Sequence, residues 1–301
     1  MHRRDFLLGT AAALSASVLR AAPVNQLHIA TNTYPWGQFA KRDGKAFPLH
    51  RDDSLAAISS TGITGYEPII NHPDEFTGLG ERLRAHGLEM RSLYVNTTLH
   101  DKEKAEESIA SVLAIARGAA DLGTTIIVTN PSPIRWGGPE NKSDAQLITQ
   151  AKALNRLGAE LRKLGLTLAY HNHDIELRLG AREFHHMLTS TDPQNVKFCL
   201  DAHWIYRGCG DSQVALFDAV QNYGDRIVEL HLRQSKGGVW TEVFEEQGDL
   251  DYGRLARWLR ERRMNPHLVL EQAVEAGSPK TLTAVEAHRQ SLGCVQRLFA
   301  S

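Results

Sequence analysis

From residue 27 to the end, short apolar runs rich in β-branched residues alternate strictly with stretches of helical periodicity. Eight such runs are legible: 27–32, 65–70, 90–96, 124–130, 166–172, 196–201, 227–233 and 267–272. Strands that alternate with helices pair in parallel, because each crossover helix returns the chain to the same edge. Eight units predict an α/β fold that closes into a single (β/α)8 TIM barrel. An open, doubly wound sheet is disfavoured, because TNTYPWG after the first strand lacks the glycine spacing of a phosphate loop. The length of 301 residues suits one barrel.

Helices are expected over 102–121 and 143–164, with Gly165 as a C-terminal cap, and near 75–86, 212–222 and 250–262. A last helix is expected to open at Ser278-Pro279, an N-cap followed by proline. The longest irregular stretch, 33–53, is expected to be a functional lid.

Four of the runs end in His, Asp or Glu: LAYHNHDIEL (168–177), FCLDAHW (198–204), VELHLRQ (228–234) and LVLEQ (268–272). Consecutive strand ends of a parallel barrel converge on one face. His171 or His173, Asp201, His231 and Glu271 therefore meet at one mouth. Imidazoles and carboxylates without a thiolate suit Mn²⁺, Mg²⁺, Co²⁺, Zn²⁺ or Fe²⁺, so a divalent metal is the expected cofactor. Cys199 shares the side of Asp201 one layer deeper and reads as core. His171, His173 and Glu176 lie at or just past the end of the fifth strand. His171 and His173 point to one side, since side chains alternate. One of the three completes the coordination and another moves a proton.

Around the same mouth, Asn32, Tyr34 and Trp36 follow the first strand. Glu67, Asn96 and Asn130 stand in or at the ends of the next three. Trp204 lies just past Asp201. Aromatic faces beside polar donors suit a sugar ring, with Trp36 and Trp204 otherwise packing the rim. Arg233 and Lys236 either bind an anionic group or solvate a loop.

The formal net charge of −1, with 23% charged and 42% hydrophobic residues, argues against a nucleic-acid partner. Residues 1–22 read as a leader: Arg3-Arg4, then Phe6-Leu7-Leu8 and an Ala-rich stretch. This resembles a twin-arginine export signal, which predicts a periplasmic or otherwise exported protein whose barrel is residues 23–301. No membrane span is expected after residue 22. Three cysteines make no disulfide framework. The expected partner is a small sugar or cyclitol, and a homo-oligomer is left open.

YHNHDIEL, LDAHW, ELHLRQ and LEQ, in this order, together with EQGDLDYGRL (246–255), resemble the sugar phosphate isomerase/epimerase family with its xylose isomerase-like barrel. The resemblance runs from about 27 to 299. It implies a metal held by four residues on the fifth to eighth strands, and Asp201, His231 and Glu271 match the last three. The family's first glutamate is missing, and His171 is the simplest residue at its place, as in the histidine-rich segment of inosose dehydratases. Proton transfer then falls to Glu176 or His173, with Glu271 opposite. The implied activity is isomerisation or epimerisation of a keto-sugar or cyclitol by proton abstraction beside a carbonyl. The alternatives are a lyase (dehydration, or elimination from a 3-keto-glycoside) and a non-catalytic sugar-binding barrel. A repair nuclease is excluded by too few histidines and no basic face.

Overall fold

The computed structural model describes residues 27–299. Ten strands are present: β1 Ile29–Asn32, β2 Gly65–Glu67, β3 Ser92–Tyr94, β4 Ile126–Thr129, β5 Thr167–His171, β6 Val196–Asp201, β7 Ile227–Leu232, β8 Ser235–Lys236, β9 Val239–Trp240 and β10 His267–Leu270. Strands β8 and β9 form a small antiparallel hairpin, and the other eight form one parallel sheet in the order β2-β1-β10-β7-β6-β5-β4-β3. The sheet closes between β2 and β3 through backbone bonds from Tyr66 N to Glu89 O (2.8 Å) and from Tyr94 N to Pro68 O (2.9 Å). Helices intervene as expected, and the fold is a single (β/α)8 TIM barrel. All eight expected runs supply its strands.

The period-two alternation of a strand sorts the side chains. On β7, Leu230 and Leu232 join the large apolar cluster shared with the surrounding helices. Between them, His231 is buried among inward-facing carboxylates. Leu168, Tyr170, Phe198, Leu200, Leu268 and Leu270 repeat the outward pattern. A small apolar group of Tyr94, Val128, Ala169 and Cys199 forms a separate cluster. Register shifts between Phe198 and Cys199, yet Asp201 still pairs with His231 across the ladder.

Two expectations are corrected. Residues 33–53 are not an irregular lid, because Thr33–Arg42 is a helix. The Asn32 side chain caps it by accepting from Tyr34 N at 2.7 Å, and Pro35 falls in the first turn, where a missing N–H costs nothing. A second helix, Asp52–Ser59, opens on two acidic residues. The last helix does not begin at Ser278-Pro279 but spans Ala284–Phe299. Thr283 and Glu286 exchange side-chain-to-backbone bonds there, a capping box that Ser278 cannot form. Ser278 instead donates to Trp240 O at 2.7 Å. Gly165 does end its helix at φ 75°. The three cysteines are free. Among the described residues no helix is long and apolar enough to cross a membrane. The leader over 1–22 lies outside the described residues.

Candidate active site

The carboxyl ends of β5, β6, β7 and β10 bring His171, Asp201, His231 and Glu271 together. His171, Asp201 and Glu271 offer ligand atoms that all lie within 4.8 Å of one another. His171 Nε2 stands 3.8 Å from Asp201 Oδ2 and 3.9 Å from Glu271 Oε2. His231 joins through Glu271, with Nδ1 3.0 Å from Glu271 Oε2. Its Nε2 faces Glu67 Oε2 and Glu229 Oε1, each at 3.1 Å. A ligating imidazole whose far nitrogen meets a carboxylate is a common way to fix its tautomer and orientation.

The fit to a divalent cation is judged from orphaned atoms. His171 Nε2 and Asp201 Oδ2 are fully buried and have no hydrogen-bond partner. Donors around one ion, with bonds of about 2.0–2.3 Å, lie roughly 3–4 Å apart. The observed spacings match, so the residues fit such an ion. Burial pushes the Asp201 carboxyl up to about 6, which an added positive charge would reverse. Burial also opposes ionisation of Glu271, but Arg233 and His231 outweigh it and hold that carboxyl well below the usual range.

Arg233 is not in a solvated loop. It is 1% exposed and donates from one terminal nitrogen to Glu271 Oε2 at 2.8 Å. Its guanidinium lies over Trp240 at 4.3 Å and Trp204 at 4.9 Å. Its Nε and other terminal nitrogen are buried without partners. The position follows from phase: residues 229, 231 and 233 share the inward side, one residue beyond the end of β7.

Above the floor, a cavity of about 410 Å³ is lined by Asn32, Tyr34, His173, Trp204, Arg233 and Glu271, with further residues of the rim. Asn32 also donates to Glu67 Oε1 at 2.7 Å. The His173 ring packs edge-on to His171, centroids 4.7 Å apart. Burial, despite the pull of Glu271, lowers its imidazole to about 4, so it is neutral at physiological pH.

Two candidates are placed elsewhere. Trp36 is buried outside the strand wall. Its ring stacks on His288 at 4.2 Å and its Nε1 donates to Thr31 Oγ1 at 3.1 Å, since the helix turn at 33–36 swings it to the outer layer. Glu176 sits in the single 3-10 turn Ile175–Leu177, 1% exposed. It does not line the cavity. Its Oε2 accepts from His173 N at 2.6 Å, while burial, with Glu183 nearby, pushes its carboxyl up to about 8. It holds the His173 backbone through that bond, while its Oε1 is buried without a partner.

Glu229 was legible but unread, because E-L-H on β7 places it in phase with His231. Trp136 and Asp174, on the cavity wall, carried no comparable signal in the sequence.

Residues 55–297 match the family of xylose isomerase-like TIM barrels, and the chain belongs to that family. An inosose dehydratase of Clostridium perfringens is 22% identical over 247 residues, spanning 73% of this chain and 81% of the relative. A crystal structure of a sugar phosphate isomerase/epimerase from Parabacteroides distasonis superposes with a TM-score of 0.71 at 20% identity, covering 97% of this chain and 100% of the other. The 3-keto-D-glucoside 4-epimerase of E. coli superposes at 0.64 with 16% identity, covering 90% and 99%.

Proposed function

We propose that the chain is a divalent-metal-dependent isomerase or epimerase that removes the proton beside the carbonyl of a keto-sugar or cyclitol. The observation that carries this reading is the buried trio of His171 Nε2, Asp201 Oδ2 and Glu271 Oε2 at the floor of an aromatic-walled cavity. Family membership and the inosose dehydratase relative, which by its name acts on a keto-cyclitol, support a sugar isomerase, epimerase or lyase. His171, Asp201 and Glu271 would hold the ion, with His231 beside them. Mn, Mg, Co, Zn and Fe all suit the donors, and a bound ion supplies electrophilic polarisation of a carbonyl oxygen.

The chain's own groups do the rest. Arg233 lines the cavity with two nitrogens that lack a partner, and a substrate oxygen would supply an acceptor. Trp204 and Tyr34 wall off water. Glu271 is ionised and can take a proton from carbon, and the His173 imidazole can hold one on the other side.

A second reading, a lyase, is favoured by the unlike pair itself. An imidazole with a pKa of about 4 is a weak base, but once protonated it is a strong acid. In this reading the His173 imidazole itself takes the proton from carbon and, as imidazolium, gives it to the leaving oxygen, so the ring ends neutral as it began. Incubating the metal-loaded protein with a panel of keto-sugars in D₂O should give deuterium beside the carbonyl, seen by NMR and abolished by chelation. A product with the substrate's mass plus only the deuterium taken up identifies isomerisation, and loss of water or an aglycone identifies elimination. Absence of exchange on every keto-sugar, with metal bound, would sink the reading.

We also propose that residues 1–22 direct export by the twin-arginine route, on the strength of Arg3-Arg4 before the apolar stretch. Replacing both arginines with lysine should leave the protein in the cytoplasm when cell fractions are blotted. Normal export of that double variant would overturn the proposal.

A further inference from the structure

The cavity is larger than one sugar and changes character from floor to rim. A hexose displaces roughly 150–200 Å³, the volume of about six waters at ~30 Å³ each. The cavity offers about 410 Å³. Exposure rises from 1% at Arg233 and 7% at Glu271 to 36% at Tyr34 and 55% at Trp136. The charged Arg233 and Glu271 are therefore deep, while the aromatic Tyr34 and Trp136 stand at the rim, with the polar Asn96 and Asp174 also on the wall.

Trp136 stands edge-on to His173, centroids 5.1 Å apart and planes at 83°. Two residues before it, Ile134 is 43% exposed, and Leu179 is 64% exposed. Arg178, next to Leu179, donates to Gly138 O at 2.8 Å and ties this turn to the loop that carries Trp136. Leu179 and Ala181 hold φ of 53° and 59°, a left-handed conformation that costs a non-glycine residue about 1 kcal/mol or more. The turn thus presents Leu179 to solvent at a conformational cost. Aromatic side chains on the wall of a polar cavity, here Tyr34, Trp136 and Trp204, offer a contact surface for a ligand.

We infer that the outer half of the cavity is a subsite for an apolar or aromatic aglycone, with Trp136 as its platform. The substrate is then a glycoside bearing an apolar group, not a free monosaccharide. This inference rests on the reading of the deep half as a keto-sugar site. Aromatic faces bind apolar rings through buried area and through edge or stacking contacts.

The test uses unoxidised glucosides, which can bind without reacting. Calorimetric titration of the full, metal-loaded protein with methyl, hexyl and 4-nitrophenyl glucosides of both anomers is expected to show at least a 10-fold tighter Kd for the apolar aglycones than for methyl. Trp136→Ala should erase that preference and Trp136→Phe should keep most of it. Equal affinities across the series, or a preference that survives Trp136→Ala, would overturn the inference. Tighter binding of a disaccharide than of the 4-nitrophenyl glucoside would also overturn it, and would assign the subsite to a second sugar. Failure of the deep-site reading looks different: glucosides bind with the expected preference while no keto-sugar exchanges a proton with D₂O.

Discussion

Exchanging Glu271 for glutamine is expected to strip the protein of divalent metal and slow proton exchange on a keto-sugar by at least about 10³-fold. The side chain is nearly isosteric, but it cannot accept a proton and carries no charge. Glu271 Oε2 is the point where three cations or potential cations converge: Arg233 at 2.8 Å, His231 at 3.0 Å and His171 at 3.9 Å. One substitution therefore removes a ligand, a base and a counter-ion together. Metal content by mass spectrometry after gel filtration, and deuterium uptake by NMR, should fall in parallel while the far-ultraviolet circular dichroism at 20 °C stays that of the parent. Wild-type metal content with wild-type exchange would show that the trio is not the working site.

The second large effect is expected at Arg233. Arg233→Met keeps bulk among Trp204 and Trp240 but leaves Glu271 buried without its cation. Removing one partner of a buried ion pair costs about 3–5 kcal/mol, which for a chain of this size lowers Tm by roughly 5–8 °C. The loss should be largest in the chelated protein and shrink on saturation with Mn²⁺, because a divalent ion beside Asp201 and Glu271 supplies the missing positive charge. Differential scanning calorimetry with and without metal reads both numbers. An equal drop in the two conditions would mean that Arg233 and the metal do not share these carboxylates.

What the sequence made legible follows from period two. Strands end where a polar residue breaks an apolar run, so Asp201, His231 and Glu271 could be placed before any coordinate was known. The same rule, carried one step further in each direction along β7, also reaches Glu229 and Arg233. The first was missed because it sits inside an apolar run, and the second was half read as solvated because it lies past the strand. The rule fails where the chain leaves extended geometry. Trp36 follows Asn32 into a helix and turns outward. Glu176 lies in a 3-10 turn, three residues per turn, so the alternation of the strand does not carry on to it. Trp136 belongs to a loop held by a long-range bond from Arg178 to Gly138 O, 40 residues apart in the chain.

The apolar packing of this barrel lies mainly in its outer jacket, between strands and helices. The lining carries Glu67, Glu229, His231, Asp201, Glu271 and Arg233, all buried. Folding free energy and chemistry are thereby carried by different faces of the same strands. A lining residue can be exchanged for another of matching charge with little disturbance to the jacket, since neighbours along a strand point opposite ways. New reactions can therefore arise on this scaffold by few substitutions, and drift in the jacket need not erase the old one. Low sequence identity across chains that keep the same barrel is what such a separation would leave behind.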